Sequence, residues 1–234
     1  MKTLLTMILM LILWCPAYAE PYAVVRINTE DRNGSSHGSG TCIGWGEKYG
    51  LIVTAEHVVR DNTGQATVDF YVKQRKVTLD AEIVATDHLW DLAALMVKRP
   101  DWEILPSMGL SENKPEVGDK ITVAGFGQSG LRTYRESVGA IVGFCAPSPT
   151  AAHECVVVDT PARQGDSGGP LRAQNGLLIG VLWGSTDATH GSHCERVRTF
   201  LKDQLEAKYP ELIRRVLHLY ILYEPRQKTS KNFP

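Results

Sequence analysis

Apolar and polar residues alternate along many short segments of this chain, and this alternation limits the fold more than any other feature. Successive side chains of a β-strand point to opposite faces, so a period of two marks strands with one buried face. Turn-forming pairs such as Asn33-Gly34 and Asn175-Gly176 separate the segments. The alternating apolar positions are Ala66, Val68, Phe70 and Val72, then Val77, Leu79, Ala81, Ile83 and Ala85, then Val138, Ala140, Val142 and Phe144. The pattern predicts an all-β protein of antiparallel strands, arranged as barrels or as a sandwich.

Helical periodicity appears only near the carboxyl end. Val197, Leu201 and Leu205 recur every four residues, and a second amphipathic stretch begins at Pro210. We predict that this second helix packs on the body of the protein; binding to a partner or a membrane surface is the alternative. The chain is accordingly divided into a signal segment (1–19), a main domain (20–208) and a helical extension with a polar tail (209–234).

The amino terminus has the pattern of a secretory signal peptide. Lys2 precedes an apolar run over residues 4–14, and Ala17-Tyr18-Ala19 forms a small-x-small cleavage site. The run is short for a membrane span, so an uncleaved anchor is the less favoured alternative. The sequence therefore predicts a secreted or periplasmic protein without stable membrane insertion after signal removal.

Composition limits the class of partner. Apolar residues make up 43% of the chain and charged residues 22%, which predicts a folded core. The formal net charge is −1. Nucleic acid is thus excluded as a main partner, because no basic excess exists to bind phosphates.

The cysteines are consistent with an exported protein. Signal removal would take away Cys15 and leave four, for which three disulfide connectivities exist. Cys145 and Cys155 flank a proline-containing loop between two strand-like segments, so we predict that they form a disulfide. Cys42 and Cys194 then either pair with each other or remain free.

Three short motifs supply the parts of a nucleophile site. The segment GDSGGP at 165–170 contains Ser167, and the upstream motifs contain His57 and Asp91. A serine hydroxyl is a weak nucleophile at neutral pH and needs a base that a third group orients. We predict that Ser167 attacks, His57 takes its proton and Asp91 orients His57, with Asp87 as the alternative acid. The backbone N–H groups of Gly165 and Ser167 would form an oxyanion hole.

These motifs in this order resemble the trypsin-like (chymotrypsin-fold) serine peptidases, in particular their bacterial and extracellular branch. The matching segments are GSGTC at 38–42, LIVTAEHVV at 51–59, DLAAL at 91–95, GDSGGP at 165–170 and GVLWG at 180–184. The resemblance implies two six-stranded antiparallel β-barrels with the active site between them, a changeover near residues 100–115, and C-terminal helices. It also implies a secreted endopeptidase that cleaves polypeptides through an acyl-enzyme and needs no cofactor.

The chain departs from the family pattern at activation. In trypsin-like relatives, the acid before the nucleophile pairs with a new N-terminus released by zymogen cleavage. The acid here is Asp166, but no Ile-Val-Gly-Gly start is present. Asp166 therefore needs another partner, or the oxyanion hole is ordered by substrate.

The chain also departs from the family pattern at the substrate pocket. The base of the primary pocket corresponds to Pro161, and nearby Arg163 adds positive charge, so we expect no preference for Lys or Arg. The resemblance assigns the pocket wall to Val181, Leu182, Trp183 and Gly184. His190 and His193 with Cys194 lack the spacing of a zinc site, and no metal is predicted.

Two other function classes remain open. Gly165-x-Ser167-x-Gly169 also fits the nucleophile elbow of an α/β-hydrolase esterase, but Pro170 opposes the helix that this fold needs after the serine. The second alternative is a non-catalytic binding module built on a peptidase scaffold.

Overall fold

The structure is a computed structural model that describes residues 23–31, 34–127, 134–185 and 188–218. These residues form two closed antiparallel barrels of six strands each, and two α-helices follow. The predicted fold of two six-stranded barrels with C-terminal helices is confirmed. The predicted signal segment (1–19), the end of the predicted second amphipathic stretch at Tyr220 and Ile221, and the polar tail (224–234) lie outside the described residues.

The first barrel is built from the amino-terminal strands. They are β1 (Val24–Asp31), β2 (Gly34–Trp45), β3 (Tyr49–Thr54), β4 (Ala66–Val72), β5 (Arg75–Asp87) and β6 (Leu92–Lys98), which pair in the order β1-β2-β3-β6-β5-β4. A short 3₁₀ helix, Glu56–Val58, follows β3. Alternate side chains point into the barrel, where Ile27, Ile52, Phe70 and Leu95 are buried together.

The second barrel repeats this arrangement. Its strands are β7 (Lys120–Gly125), β8 (Arg135–Cys145), β9 (Cys155–Val158), β10 (Pro170–Ala173), β11 (Leu178–Ser185) and β12 (Thr189–His193), which pair in the order β10-β11-β12-β9-β8-β7. Ile121, Ile141, Leu171 and Ile179 fill its interior. The connection between the barrels runs over residues 99–119.

The two helices cover a third core that lies outside both barrels. They are α1 (Cys194–Leu205) and α2 (Pro210–His218). Phe200 of α1 and Ile213 of α2 are buried in one cluster with Leu51 and Leu92 of the first barrel. The amphipathic stretch after Pro210 thus packs on the body of the protein. No helix within the described ranges is long and apolar enough to cross a membrane.

Candidate active site

Sheet register brings His57 and Asp91 together. Thr54 at the end of β3 pairs with Ala93 near the start of β6, so the residues after β3 and before β6 are neighbours. His57 Nδ1 lies 2.6 Å from Asp91 Oδ2. The His57 backbone N–H donates to Asp91 Oδ1 at 2.8 Å. Because a carboxylate only accepts, the His57 proton in this contact is on Nδ1 and leaves Nε2 as an acceptor.

Asp91 occupies a backbone conformation fixed by its neighbours. Its φ is +48°, a left-handed value that Asp tolerates better than most residues. Its carbonyl accepts the Glu56 N–H at 3.1 Å. The preceding Trp90 carbonyl accepts the Ser192 hydroxyl at 2.7 Å, which links this turn to the second barrel. The alternative acid, Asp87, instead accepts the Trp90 N–H at 3.2 Å.

The turn that contains Ser167 lies against the end of β3. The Ser39 N–H of β2 donates to the Ser167 carbonyl at 2.8 Å. A Cβ atom added at Gly168, whose φ is +83°, would lie 2.0 Å from Thr54 Oγ1 and 2.9 Å from the Ala55 nitrogen. Only glycine permits this approach, which places Ser167 beside the segment that leads to His57. No hydrogen bond joins the Ser167 hydroxyl to His57 among the described residues, and such bonds often tighten only when substrate binds.

The backbone around Gly165 presents free donors. Within the described part of the chain, neither the Gly165 nor the Ser167 N–H has an acceptor. Gly165 has a φ of +92°, and its carbonyl accepts the Ser39 hydroxyl at 2.7 Å. The Ser39 oxygen also accepts the Phe126 N–H at 2.8 Å. Unpaired N–H groups of one turn can bind an anion, so both groups are available for the predicted oxyanion hole.

Two residues near this turn had no role in the sequence predictions. Ser39 connects the Ser167 turn to the first barrel through the contacts above; its place between two glycines in GSGTC was the available signal. His37 Nε2 lies 3.3 Å from where a Gly165 Cβ would be. Desolvation, with the Arg26 guanidinium nearby, lowers the pKa of His37 below its usual value and favours the neutral ring.

The substrate-pocket residues divide into three groups. Trp183 stacks on His190 at 5.6 Å between ring centroids, and Pro161 is exposed. The side chains of Val181 and Leu182 are buried in hydrophobic cores, so only their backbone is available for the pocket wall predicted for them. The Arg163 guanidinium forms an ion pair with Asp166 at 2.8 Å, so its charge is already compensated.

The backbone of Trp183 lies outside the pairing of β11 with β12, whereas Gly184 is paired within it. Leu182 pairs with Gly191 and Gly184 pairs with His190, so Trp183 is the extra residue of a β-bulge. The extra residue of a bulge is left out of the ladder.

The cysteines fall into one close pair and two separate thiols. Cys145 and Cys155 face each other across β8 and β9 with their Cα atoms 4.9 Å apart, within the range that a disulfide spans. Cys42 and Cys194 are free and buried. Burial raises the pKa of the Cys42 thiol to about 12 and that of Cys194 to about 11.

One group of side chains in the described segments has the composition of a metal site, namely Glu154, His193 and Glu195. However, His193 Nδ1 accepts the Glu195 N–H at 3.2 Å and caps α1. Accepting through Nδ1 leaves the proton of a neutral ring on Nε2, where it would block a metal. Lys114 also pairs with Glu195 at 3.0 Å. These contacts favour a helix cap over a metal site.

Comparisons with known proteins agree with this geometry. Residues 38–181 match the model of the trypsin-like peptidase domain. The chain is 30% identical over 167 residues to Protease Do-like 5 of Arabidopsis thaliana, covering 66% of this chain and 50% of that protein. It is 27% identical over 212 residues to the serine endoprotease DegS of Escherichia coli K12, covering 85% and 57%. The chain thus spans about half the length of these curated relatives.

The fold also matches a solved peptidase. The active form of the Rv3671c protease from M. tuberculosis superposes with a TM-score of 0.65 at 23% identity, over 81% of this chain and 83% of that one. The chain therefore belongs to the trypsin-like serine peptidase family, and this membership explains the two barrels, the His57–Asp91 pair and the free donors around Ser167.

Proposed function

We propose that this protein is an exported serine endopeptidase that hydrolyses polypeptides through an acyl-enzyme, with Ser167 as nucleophile, His57 as base and Asp91 as the orienting acid. The observation that carries the proposal is the 2.6 Å contact between His57 Nδ1 and Asp91 Oδ2, beside the Ser167 turn. It directs the basic Nε2 of His57 away from Asp91 and leaves it free to accept a proton.

The reaction follows from these positions. Ser167 Oγ attacks the substrate carbonyl carbon while its proton passes to His57 Nε2, and Asp91 stabilises the resulting imidazolium. The negative oxygen of the tetrahedral intermediate accepts hydrogen bonds from the N–H groups of Gly165 and Ser167. His57 then protonates the leaving amine, and water repeats these steps to release the acyl group.

Two features support a polypeptide substrate and an exported enzyme. The bulge leaves the backbone of Trp183 outside the ladder of β11 and β12, where an extended peptide can pair with it. The amino-terminal signal pattern supports secretion or a periplasmic location. An esterase of the nucleophile-elbow type is disfavoured, because β10 begins at Pro170, three residues after Ser167, where that fold requires a helix.

A fluorophosphonate probe tests this function directly, because it labels only an activated serine. The wild-type chain should become labelled and should cleave an unstructured protein such as casein. Ser167→Ala should do neither while keeping the same thermal unfolding midpoint. An unlabelled but folded wild-type protein would favour the binding-module alternative. Cleavage of simple esters without cleavage of casein would favour an esterase.

A further inference from the structure

Asp166, directly before the nucleophile, is a buried carboxylate with an exposure of 4%. A buried charge is costly unless it is paired and hydrogen-bonded. In zymogen-activated relatives a new N-terminal amine fills this need, whereas here Asp166 already has a side-chain partner. The groups that surround Asp166 are therefore the candidates for holding the turn that carries Ser167.

Arg163 makes the main contacts. Its Nε donates to Asp166 Oδ2 at 2.9 Å and its Nη2 donates to Oδ1 at 2.8 Å, which is the bidentate geometry of a strong ion pair. The Arg163 backbone N–H donates to Oδ2 at 2.9 Å, and the Gly127 N–H donates to Oδ1 at 2.7 Å. Each carboxylate oxygen thus accepts two hydrogen bonds.

Two glycines, Gly125 and Gly127, allow the backbone to approach the Arg163–Asp166 ion pair closely. A Cβ added at Gly125 would lie 2.7 Å from Asp166 Oδ1, and one at Gly127 would lie 2.5 Å from that atom and 2.8 Å from Arg163 Nε. Glycine is required at both positions for the close approach. The backbone at Gly125 and Gly127 therefore packs directly against the ion pair.

The pair closes a tight turn over the oxyanion donor. The Asp166 N–H donates to the Arg163 carbonyl at 3.0 Å, so backbone and side chains both join the ends of the turn 163–166. Gly165, with its φ of +92° and free N–H, lies inside this turn. Fixing residues 163 and 166 consequently fixes the direction of the Gly165 N–H.

We propose that Arg163 is a positioning residue that holds the oxyanion-hole turn in its catalytic form, in the place that an N-terminal amine occupies in zymogen-activated relatives. This inference rests on the proposed peptidase function. The ion pair joins two residues of the same turn, so it needs no new N-terminus.

The test uses the full chain and compares Arg163→Gln, Arg163→Lys, Asp166→Asn and the double variant Arg163→Gln/Asp166→Asn. Arg172→Gln is the matched control, because Arg172 is a partly buried arginine of the same barrel that pairs with Glu136 at 3.0 Å. The readouts are the fluorophosphonate labelling rate, kcat and KM on one peptide substrate, and hydrogen–deuterium exchange of the segment 161–170.

In Arg163→Gln we expect kcat and the labelling rate to fall by about 100-fold, the scale of losing one oxyanion donor, with KM changed by less than about threefold. Exchange over 161–170 should accelerate. In Arg163→Lys, kcat and the labelling rate should be at least about tenfold higher than in Arg163→Gln but below wild type, because Lys keeps the charge but not the bidentate geometry. The double variant should have a higher kcat and a faster labelling rate than Arg163→Gln, because it leaves no unpaired buried carboxylate. Arg172→Gln should match wild type.

Two results would overturn this inference while leaving the proposed function intact. One is a folded Arg163→Gln variant whose labelling rate, kcat and hydrogen–deuterium exchange all equal those of wild type. The other is a uniform loss of stability in Arg163→Gln without a drop in kcat below its unfolding temperature. Failure of the wild-type chain itself to label would instead refute the peptidase function. Exchange over 161–170 would still decide whether Arg163 holds the turn.

Discussion

His57 is held by Asp91 at two points, through the ring Nδ1 to Oδ2 at 2.6 Å and through the backbone N–H to Oδ1 at 2.8 Å. Both carboxylate oxygens are therefore committed to one residue. The side-chain contact selects the tautomer of His57, and the backbone contact fixes the acid relative to the 3₁₀ helix. This division of roles makes a substitution at Asp91 informative.

Asp91→Asn should remove activity without disturbing the fold. The Asn carbonyl oxygen can still accept the His57 backbone N–H, but its NH₂ group would then face Nδ1. That contact turns Nδ1 into an acceptor and moves the ring proton to Nε2, where it blocks proton transfer from Ser167. We expect kcat near neutral pH to fall by about 10⁴-fold, as for this change in the Ser-His-Asp template. Steady-state kinetics and thermal unfolding would measure both effects.

The control is Asp87→Asn. Asp87 accepts the Trp90 N–H at 3.2 Å, and an Asn oxygen can replace that contact. Near wild-type activity is expected. If Asp87→Asn lost activity while Asp91→Asn kept it, the assignment of the acid would have to be reversed.

The sequence predicted those parts of the molecule that depend on local pattern. Alternation located the strands, although in β8 the alternating side chains of Val138, Val142 and Phe144 are exposed and not buried. Short ordered motifs predicted the site, and the structure brings two of its residues, His57 and Asp91, within 2.6 Å. The contacts of Ser39 depend on how one barrel meets the other, which no local pattern encodes. The burial of Leu182 is likewise a matter of packing, because α1 contacts β11 from outside the barrel while Leu182 lies in the core inside the barrel.

Arg163 illustrates the same limit. Its charge and its nearness to Ser167 indicated a pocket role from the sequence. Its guanidinium pairs with Asp166. The same carboxylate accepts a hydrogen bond from the N–H of Gly127, a residue 39 positions away in the chain. Gly127 comes close to Asp166 only when the second barrel is packed.

We expect Cys145 and Cys155 to form a disulfide in exported protein. They are 10 residues apart, so closing this short loop should stabilise the fold by about 2–3 kcal/mol. Denaturant unfolding of wild type with and without reductant would measure this difference, and Cys145→Ser/Cys155→Ser should be insensitive to reductant. The buried Cys42 and Cys194 should resist alkylation near pH 8 until the protein unfolds, since burial raises both thiol pKa values. Free Cys145 and Cys155 thiols in exported material would contradict the prediction.

Cleavage after Lys or Arg should be disfavoured. A buried cationic side chain needs a fixed anion, and the described residues assigned near the pocket, Pro161, Trp183 and His190, include no acid. The Arg163 charge is compensated by Asp166, so Arg163 neither repels a basic side chain nor attracts an acidic one. Because a basic side chain would still lack an anion, small or medium apolar residues at P1 should be cleaved at least about tenfold faster than basic ones. A peptide library varied at P1 would measure this ratio. Preferential cleavage after Lys or Arg would mean that an acid from elsewhere reaches the pocket and that Pro161 is not at its base.

His193 should make the protein less stable in mild acid. Burial lowers the pKa of His193 below its usual 6.5, against the opposing charges of Glu154 and Glu195. Below about pH 6.5 the unfolded chain therefore binds a proton that the folded one does not, so the free energy of unfolding falls as pH decreases through that window. Protonation also removes the Nδ1 acceptor that caps α1, a contact of the kind that contributes about 1 kcal/mol.

His193→Asn separates this effect from other acid effects, because Asn caps a helix but does not titrate. Urea unfolding near pH 7.5 and near pH 5 should show a smaller loss of stability in His193→Asn than in wild type, by about 1 kcal/mol or more. His190→Asn is the control, since the His190 ring stacks on Trp183 and caps no helix. Equal acid sensitivity in wild type and His193→Asn would assign the effect to other groups, such as His37 next to Arg26, whose pKa is also lowered.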